Sequence, residues 1–312
     1  MTMVDKEMFL ALPTEEVAKL VRAAGPQVCV FPINGTRRWF MLEHADKLSA
    51  HPLRDPFEIY LDISIKRHVE LCGLMLDHGI DTLLTPVFGL ELLNRGDEYA
   101  KKVGVNGLVR TAKDPSFLAF FEKYQVRVRF YGDYRKHLHN TPYAYALDAL
   151  EQVTDLTKNN VRFCMHFGVF ADDATETLAE LSIRHFQKTG NAPSRRELVE
   201  QYYGEYVEPV SLFIGFDKFS VFDYPLLNSG GEDLYFSISP SPYMTAKQLR
   251  LILYDHIFAR KVDEPDYSSL SQTETDELRK YYRFHQDFAL GVGEIKQGLW
   301  APKLIFINQG AG

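Results

Sequence analysis

Cysteine is scarce, with Cys29, Cys72 and Cys164 the only three in 312 residues, and no pair has the C-x-x-C spacing. A disulfide framework and a zinc ribbon are therefore not expected. All three sit in apolar runs and read as buried free thiols. There is no excess of positive charge: 35 Lys and Arg against 42 Asp and Glu leave a net charge of −7. Nucleic acid is an unsuitable partner for such a chain, since broad binding needs a basic footprint. An anionic ligand must be held by a local basic cluster working against the overall charge. No apolar run approaches the roughly 18 residues of a membrane span, so no stable membrane insertion is expected. The first residues, MTMVDKEMFLALPTEEVAKL, lack a basic segment leading into an apolar one. A cytoplasmic protein is the expectation. Repeats and low-complexity stretches are absent too.

What is there alternates. Pro13 to Ala24 reads as a helix with acids in its first turn, ended by Gly25-Pro26. Val28 to Phe31 is a continuous apolar run, as a strand buried on both faces should be. A long helix is predicted from Pro56 to His78, with Gly79 at its end. Strands follow at 81–88, 126–131, 162–169, 210–216 and 233–239. Helices are predicted between and after them at 117–124, 144–156, 173–188 and 245–259. The pattern gives an α/β, doubly wound fold with a mostly parallel central sheet of about six strands flanked by helices. Residues 1–262 read as one domain, and 263–312, with a helix near Glu274 to Tyr282, as a C-terminal extension.

The strongest chemical signal is Asn34 to Phe40. A buried strand ends there and a helix begins near Arg37, so the turn lies at the carboxyl end of a strand, where such folds bind ligands. A helix N-terminus offers unpaired amides and a positive dipole end. Gly35 permits close backbone approach. Thr36 supplies a hydroxyl, and Arg37 and Arg38 supply two fork-shaped cations suited to phosphate oxygens. The group can hold a diphosphate. It can equally be a solvated arginine pair on a surface turn, and spacing alone does not separate the two.

The segment Phe31-Pro-Ile-Asn-Gly-Thr-Arg-Arg-Trp-Phe40 resembles the first motif, D-G-N-x-R-W, of the cis-prenyltransferase (undecaprenyl diphosphate synthase-like) family. The likeness continues in order through Gly79 to Phe88, Arg127 to Asp133, Phe167 to Asp173 and Leu234-Tyr-Phe236, spanning about residues 27 to 260. Gly35 to Phe40, Arg95-Gly-Asp-x-Tyr99, Tyr202 to Val207, Phe213 to Phe216, Tyr243-Met-Thr245 and Ile252 to Ile257 are similar to an atypical branch. That branch holds the bacterial diterpene synthases that make tuberculosinol and kolavelool.

The resemblance implies a diphosphate site at Gly35, Thr36, Arg37 and Arg38, and active-site tyrosines at Tyr60 and Tyr99, with Asn34 beside them. It implies Mg²⁺, with Asn34 where the family has a metal-binding Asp, and Asp233 at its other acidic position. It implies a homodimer, with the 245–259 helix and the tail as its contact. Chain-elongating members hold a second diphosphate with two arginines and a serine, and those positions here read Ile214, Ser220 and Phe222. An anion buried without cations is too costly, so elongation is not expected.

The first expectation is therefore an enzyme that ionises a bicyclic C20 allylic diphosphate, such as kolavenyl diphosphate. Water would capture the cation to give a tertiary alcohol of the kolavelool type. A transferase of the same fold, with isopentenyl diphosphate or a nucleoside as acceptor, is the second. A non-catalytic partner subunit is the third. Asp172-Asp173-Ala-Thr-Glu176 spells D-D-x-x-E but follows a strand, and reads more simply as a helix cap with acids in the first turn. His137 and His139 read as a polar surface loop, and His166, in a buried-looking strand, as a satisfied core histidine.

Overall fold

The apolar runs form six strands: β1 (Val28–Val30), β2 (Thr82–Phe88), β3 (Val126–Tyr131), β4 (Phe163–Val169), β5 (Leu212–Phe216) and β6 (Asp233–Ser237). They join in one sheet, ordered β3-β4-β2-β1-β5-β6, and every neighbouring pair is parallel. In this computed structural model residues 4–303 are described, apart from 90–95, 97 and 99. All three residues of β1 and all seven of β4 are buried, as continuous apolar runs require of central strands.

Alternate residues serve two cores. Cys29, Leu83, Val128, Met165 and Leu212 face one. Val28, Val30, Leu84, Tyr131 and Phe213 face the other. The first core is covered by α1 (Lys6–Ala11), α2 (Thr14–Ala23), the long helix α5 (Pro56–Asp77), α6 (Asn106–Lys113), α7 (Pro115–Tyr124) and α9 (Tyr145–Thr157). Between α2 and α5 lie two short helices, α3 (Thr36–Glu43) and α4 (Ala45–Ala50), and α8 (Tyr134–Leu138) follows β3. The second core is covered by α10 (Thr175–Thr189), α11 (Arg195–Tyr203) and the segment carrying Tyr224 and Leu227. After β1 the chain turns to the first face, and after β5 to the second. The gap between the carboxyl ends of these adjacent strands is thus a topological switch point.

Local signals explain the element ends. Asp55 accepts from the Phe57 amide at 2.9 Å and Pro56 opens α5. Asp114 and Pro115 repeat the device at α7. Ser194 and Glu197 form a capping box at α11, a helix the apolar spacing did not announce. The fifth strand begins at Leu212, two residues later than expected, because the Val210 amide bonds Leu227 O at 2.9 Å.

The helix expected at the subunit contact, α12 (Ala246–Ile257), buries Leu249, Leu253 and Ile257 in the chain's own core. Arg250 on it donates to Leu10 O at 2.8 Å and Leu12 O at 2.7 Å. Beyond 262, α13 (Gln272–His285) buries no residue, and an antiparallel hairpin, β7 (Gly293–Lys296) and β8 (Leu299–Pro302), follows it. Among the described residues, no helix is long and apolar enough to cross a membrane.

Candidate active site

The chain leaves β1 through buried Phe31, Pro32 and Ile33 and reaches the surface at Asn34. The loop after β6 clamps it there. The Asn34 amide donates to Ser241 Oγ at 3.1 Å, and the Ser241 amide returns a bond to Asn34 O at 3.0 Å. Gly35 then takes φ +76°, a left-handed conformation. A Cβ on it would lie 2.8 Å from Phe216 Cε1 and 2.8 Å from Pro240 Cβ. Only a glycine lets the ends of β1, β5 and β6 converge so closely.

Gly35 opens α3, which has no side-chain cap and no acid in its first turn. Trp39 N closes the first bond of the helix, to Gly35 O at 2.9 Å. The positive end of α3 therefore faces the switch point without a competing carboxylate of its own. Thr36 Oγ1 is 2.7 Å from Tyr60 Oη, contributed by α5. Arg37 is exposed. Arg38 lies 5.2 Å over the Phe216 ring and 3.5 Å from Asp217 Oδ2. Trp39, Phe40 and Ile59 pack below, and Phe40 meets Tyr60 edge-to-face at 5.4 Å. Tyr243 donates to Glu43 at 2.5 Å, tying the far end of α3 to the loop after β6.

Asn34, Gly35, Thr36, Arg37, Arg38 and Tyr60 are thus gathered at one place. Tyr99 lies outside the described residues, as do Arg95 and Asp97. Asp233 is not brought to the cluster. It opens β6, opposite Leu212, whereas the site lies at the other end, where Ser237 pairs with Phe216. Its carboxylate is held by His256 Nδ1 at 2.6 Å, Arg260 at 3.4 Å and Lys261 at 3.8 Å. The sequence position that suggested a metal contact therefore carries a structural ion cluster in this protomer.

Asp217 was missed, although an acid directly after a predicted strand at its carboxyl end was a readable signal. Ser241 was missed because its partner is more than 200 residues away. Ile214 is fully buried in β5, Ser220 is exposed and Phe222 half-buried, so those positions assemble no second anion cradle. Asp173 accepts from the Thr175 amide at 2.9 Å at the start of α10, and Glu176 pairs with Lys136 at 2.8 Å. The N-cap of α10 is Ala174 rather than an aspartate, and Glu176 is the acid of its first turn. His137 lies in α8 rather than in a loop, half-buried with its ring tilted 4.7 Å from Phe170, and exposed His139 bonds Asn140 at 2.9 Å.

No family model matches the chain. It is 41% identical over 302 residues to the tuberculosinyl adenosine transferase of Mycobacterium tuberculosis (strain CDC 1551 / Oshkosh), covering 96% of this chain and 99% of that one. It is 24% identical over 288 residues to the (+)-kolavelool synthase of Herpetosiphon aurantiacus, covering 91% of each. Its fold is similar to lavandulyl diphosphate synthase from Lavandula x intermedia in complex with dimethylallyl diphosphate, with a TM-score of 0.55 at 13% identity, over 76% of this chain and 97% of that one. A probable undecaprenyl diphosphate synthase from Campylobacter jejuni gives a TM-score of 0.50 at 16% identity, over 64% and 91%.

Proposed function

The chain belongs to the atypical cis-prenyltransferase-fold branch that includes tuberculosinyl adenosine transferase, and from that premise we propose that it transfers a C20 diterpenyl group from its allylic diphosphate to a nucleoside acceptor. One observation carries the reading. Among the described residues a cationic helix end, Gly35 to Arg38, stands at the switch point, and the positions that would hold a second diphosphate are Ile214, Ser220 and Phe222.

The amides at the start of α3, the Thr36 hydroxyl and the Arg37 and Arg38 guanidinium groups take the diphosphate. They stabilise the charge that develops as the allylic C–O bond breaks and its electron pair leaves with the phosphate. The hydrocarbon becomes a cation, which the face of Tyr60 stabilises. A lone pair of the acceptor closes on it, with Asn34 and the Tyr60 hydroxyl positioning the acceptor. The resemblance adds Tyr99 to that pair.

The donors at the site also bear on Mg²⁺. Asn34 offers a neutral carbonyl, and Asp217, a nearby carboxylate, is engaged by Arg38. That set suits a hard cation held chiefly by diphosphate oxygens, with Asn34 and Asp217 as outer partners. When bound, Mg²⁺ would supply further neutralisation of the leaving group.

Capture by water, giving a tertiary alcohol of the kolavelool type, is the second reading, and the 24% likeness to (+)-kolavelool synthase favours it. The test is incubation with tuberculosinyl and kolavenyl diphosphates, Mg²⁺ and adenosine, followed by mass spectrometry. An adenosine adduct supports transfer, whereas an alcohol formed equally with and without adenosine moves the reading to water capture. Incorporation of isopentenyl diphosphate into longer chains overturns both. Arg37→Ala and Arg38→Ala should each lose most turnover, which a non-catalytic subunit would not show. A homodimer is part of the same reading. Since α12 is spent internally, exposed Tyr281, Tyr282 and Phe284 on α13 are the better contact, and sedimentation equilibrium after their replacement by Ser tests it.

A further inference from the structure

The amino-terminal end of the sheet, opposite the diphosphate site, carries a second cluster. Cys164 and His166 are alternate residues of β4 and project onto the face that α11 covers. Glu205 reaches them from beyond α11. That helix ends at Tyr203, Gly204 takes φ +81°, and the next residue turns back over the sheet. Cys164 Sγ is 3.1 Å from His166 Nε2 and 2.8 Å from Glu205 Oε1, and His166 Nε2 is 3.6 Å from that same oxygen.

These are three ligand atoms of the kinds zinc selects, all within 4.8 Å of one another. Bonds of zinc length would set them about 3.4–3.6 Å apart, so the sulfur must draw back from its present 3.1 Å to the ring and 2.8 Å to the carboxylate, by about half an ångström and about 0.8 Å. A cleft of about 150 Å³ opens beside them, with Asp81 and Glu208 also on its wall.

His166 is 1% exposed and its Nδ1 has no partner, so the ring is not the fully satisfied core histidine expected from sequence. Its Nε2 is the nitrogen turned to the thiol and the carboxylate. Arg127 Nε bonds Glu205 Oε2 at 2.7 Å and Arg129 approaches that same oxygen at 3.7 Å. Oε1 is left toward the thiol and the ring. The two arginines thus orient the carboxylate from behind, as outer partners of a metal ligand do.

We propose that Cys164, His166 and Glu205 bind a borderline-soft divalent metal of the zinc class, with the remaining position open to the cleft. On binding, the Cys164 thiol proton leaves to solvent and a sulfur–metal bond forms, with no change of oxidation state. The metal ties the turn after α11 to β4. The site is separate from the one at Arg38 and makes no demand on the prenyl chemistry.

The test uses the full chain stripped with chelator and titrated with Co²⁺, then with Zn²⁺ in competition. The expected result is one Co²⁺ per chain with a thiolate-to-cobalt charge-transfer band, displaced by Zn²⁺, and a higher Tm with either metal. The band should vanish in Cys164→Ser, and affinity should fall at least about tenfold in His166→Gln and Glu205→Gln. A wild-type chain that gives no thiolate band overturns the proposal whether or not the variants fold. So does a band that survives in Cys164→Ser.

Discussion

Thr36 and Tyr60 meet hydroxyl to hydroxyl at 2.7 Å, joining the first turn of α3 to α5. The bond sets the Tyr60 hydroxyl at the edge of the proposed diphosphate site while the ring packs on Phe40. Tyr60→Phe keeps that packing and removes only the polar atom. It should lower kcat by about 100-fold with little change in Tm, the scale expected when a group that positions the acceptor is lost. An unchanged kcat with a lowered Tm would make the hydroxyl a mere anchor for α3.

Gly35 cannot carry a side chain. With φ +76° and contacts of 2.8 Å awaiting a Cβ, Gly35→Ala must shift Phe216 and Pro240. A loss of about 1–3 kcal/mol in unfolding free energy is expected, together with a raised KM for the diphosphate substrate. Urea titration and steady-state kinetics read the two effects, and a wild-type KM would show that the turn's closeness is not needed for binding.

Asp233 sits in an ion cluster with His256, Arg260 and Lys261. Asp233→Asn removes the carboxylate facing His256 at 2.6 Å and Arg260 at 3.4 Å. Breaking such a mostly buried cluster should cost about 2–4 kcal/mol, seen in the urea midpoint, while the dependence of turnover on Mg²⁺ stays as in wild type. A raised Mg²⁺ requirement would return Asp233 to the metal.

His78 makes the fold sensitive to acid. Its Nδ1 donates to Leu74 O at 2.8 Å and its Nε2 accepts from Arg250 at 3.3 Å, an arrangement that needs the neutral ring. Burial first, and the Arg250 charge second, hold its pKa below the usual histidine value. The folded state therefore binds fewer protons than the unfolded one below about pH 6.5. The stability this ring contributes is full above that pH and is lost as pH falls from there through the lower folded-state value. The urea midpoint should decline as pH falls below about 6.5, and His78→Gln should flatten the slope. An unchanged slope would assign the decline to other groups.

Much of this protein was written in its order of residues. Apolar segments bounded by helical periods marked six strands of a parallel sheet: the central strands β1 and β4 are buried on both faces and cannot alternate with polar residues, whereas the edge strand β3 does alternate. Asn34 to Arg38 was legible as a strand-to-helix turn, but spacing alone leaves an anion site and a solvated arginine pair equally open, and the family resemblance favours the first. Other features depend on residues far apart in sequence. Asp217 became part of the site only when β5 lay beside β1, and Ser241 only when the chain returned 207 residues later to clamp Asn34. Asp233 looked like a metal contact until its strand direction put it at the far end of the sheet. The meeting of Cys164, His166 and Glu205 depends on a left-handed glycine after α11, a turn that no periodicity encodes. Local sequence sets each element's type and its buried faces, and long-range packing decides which ends meet.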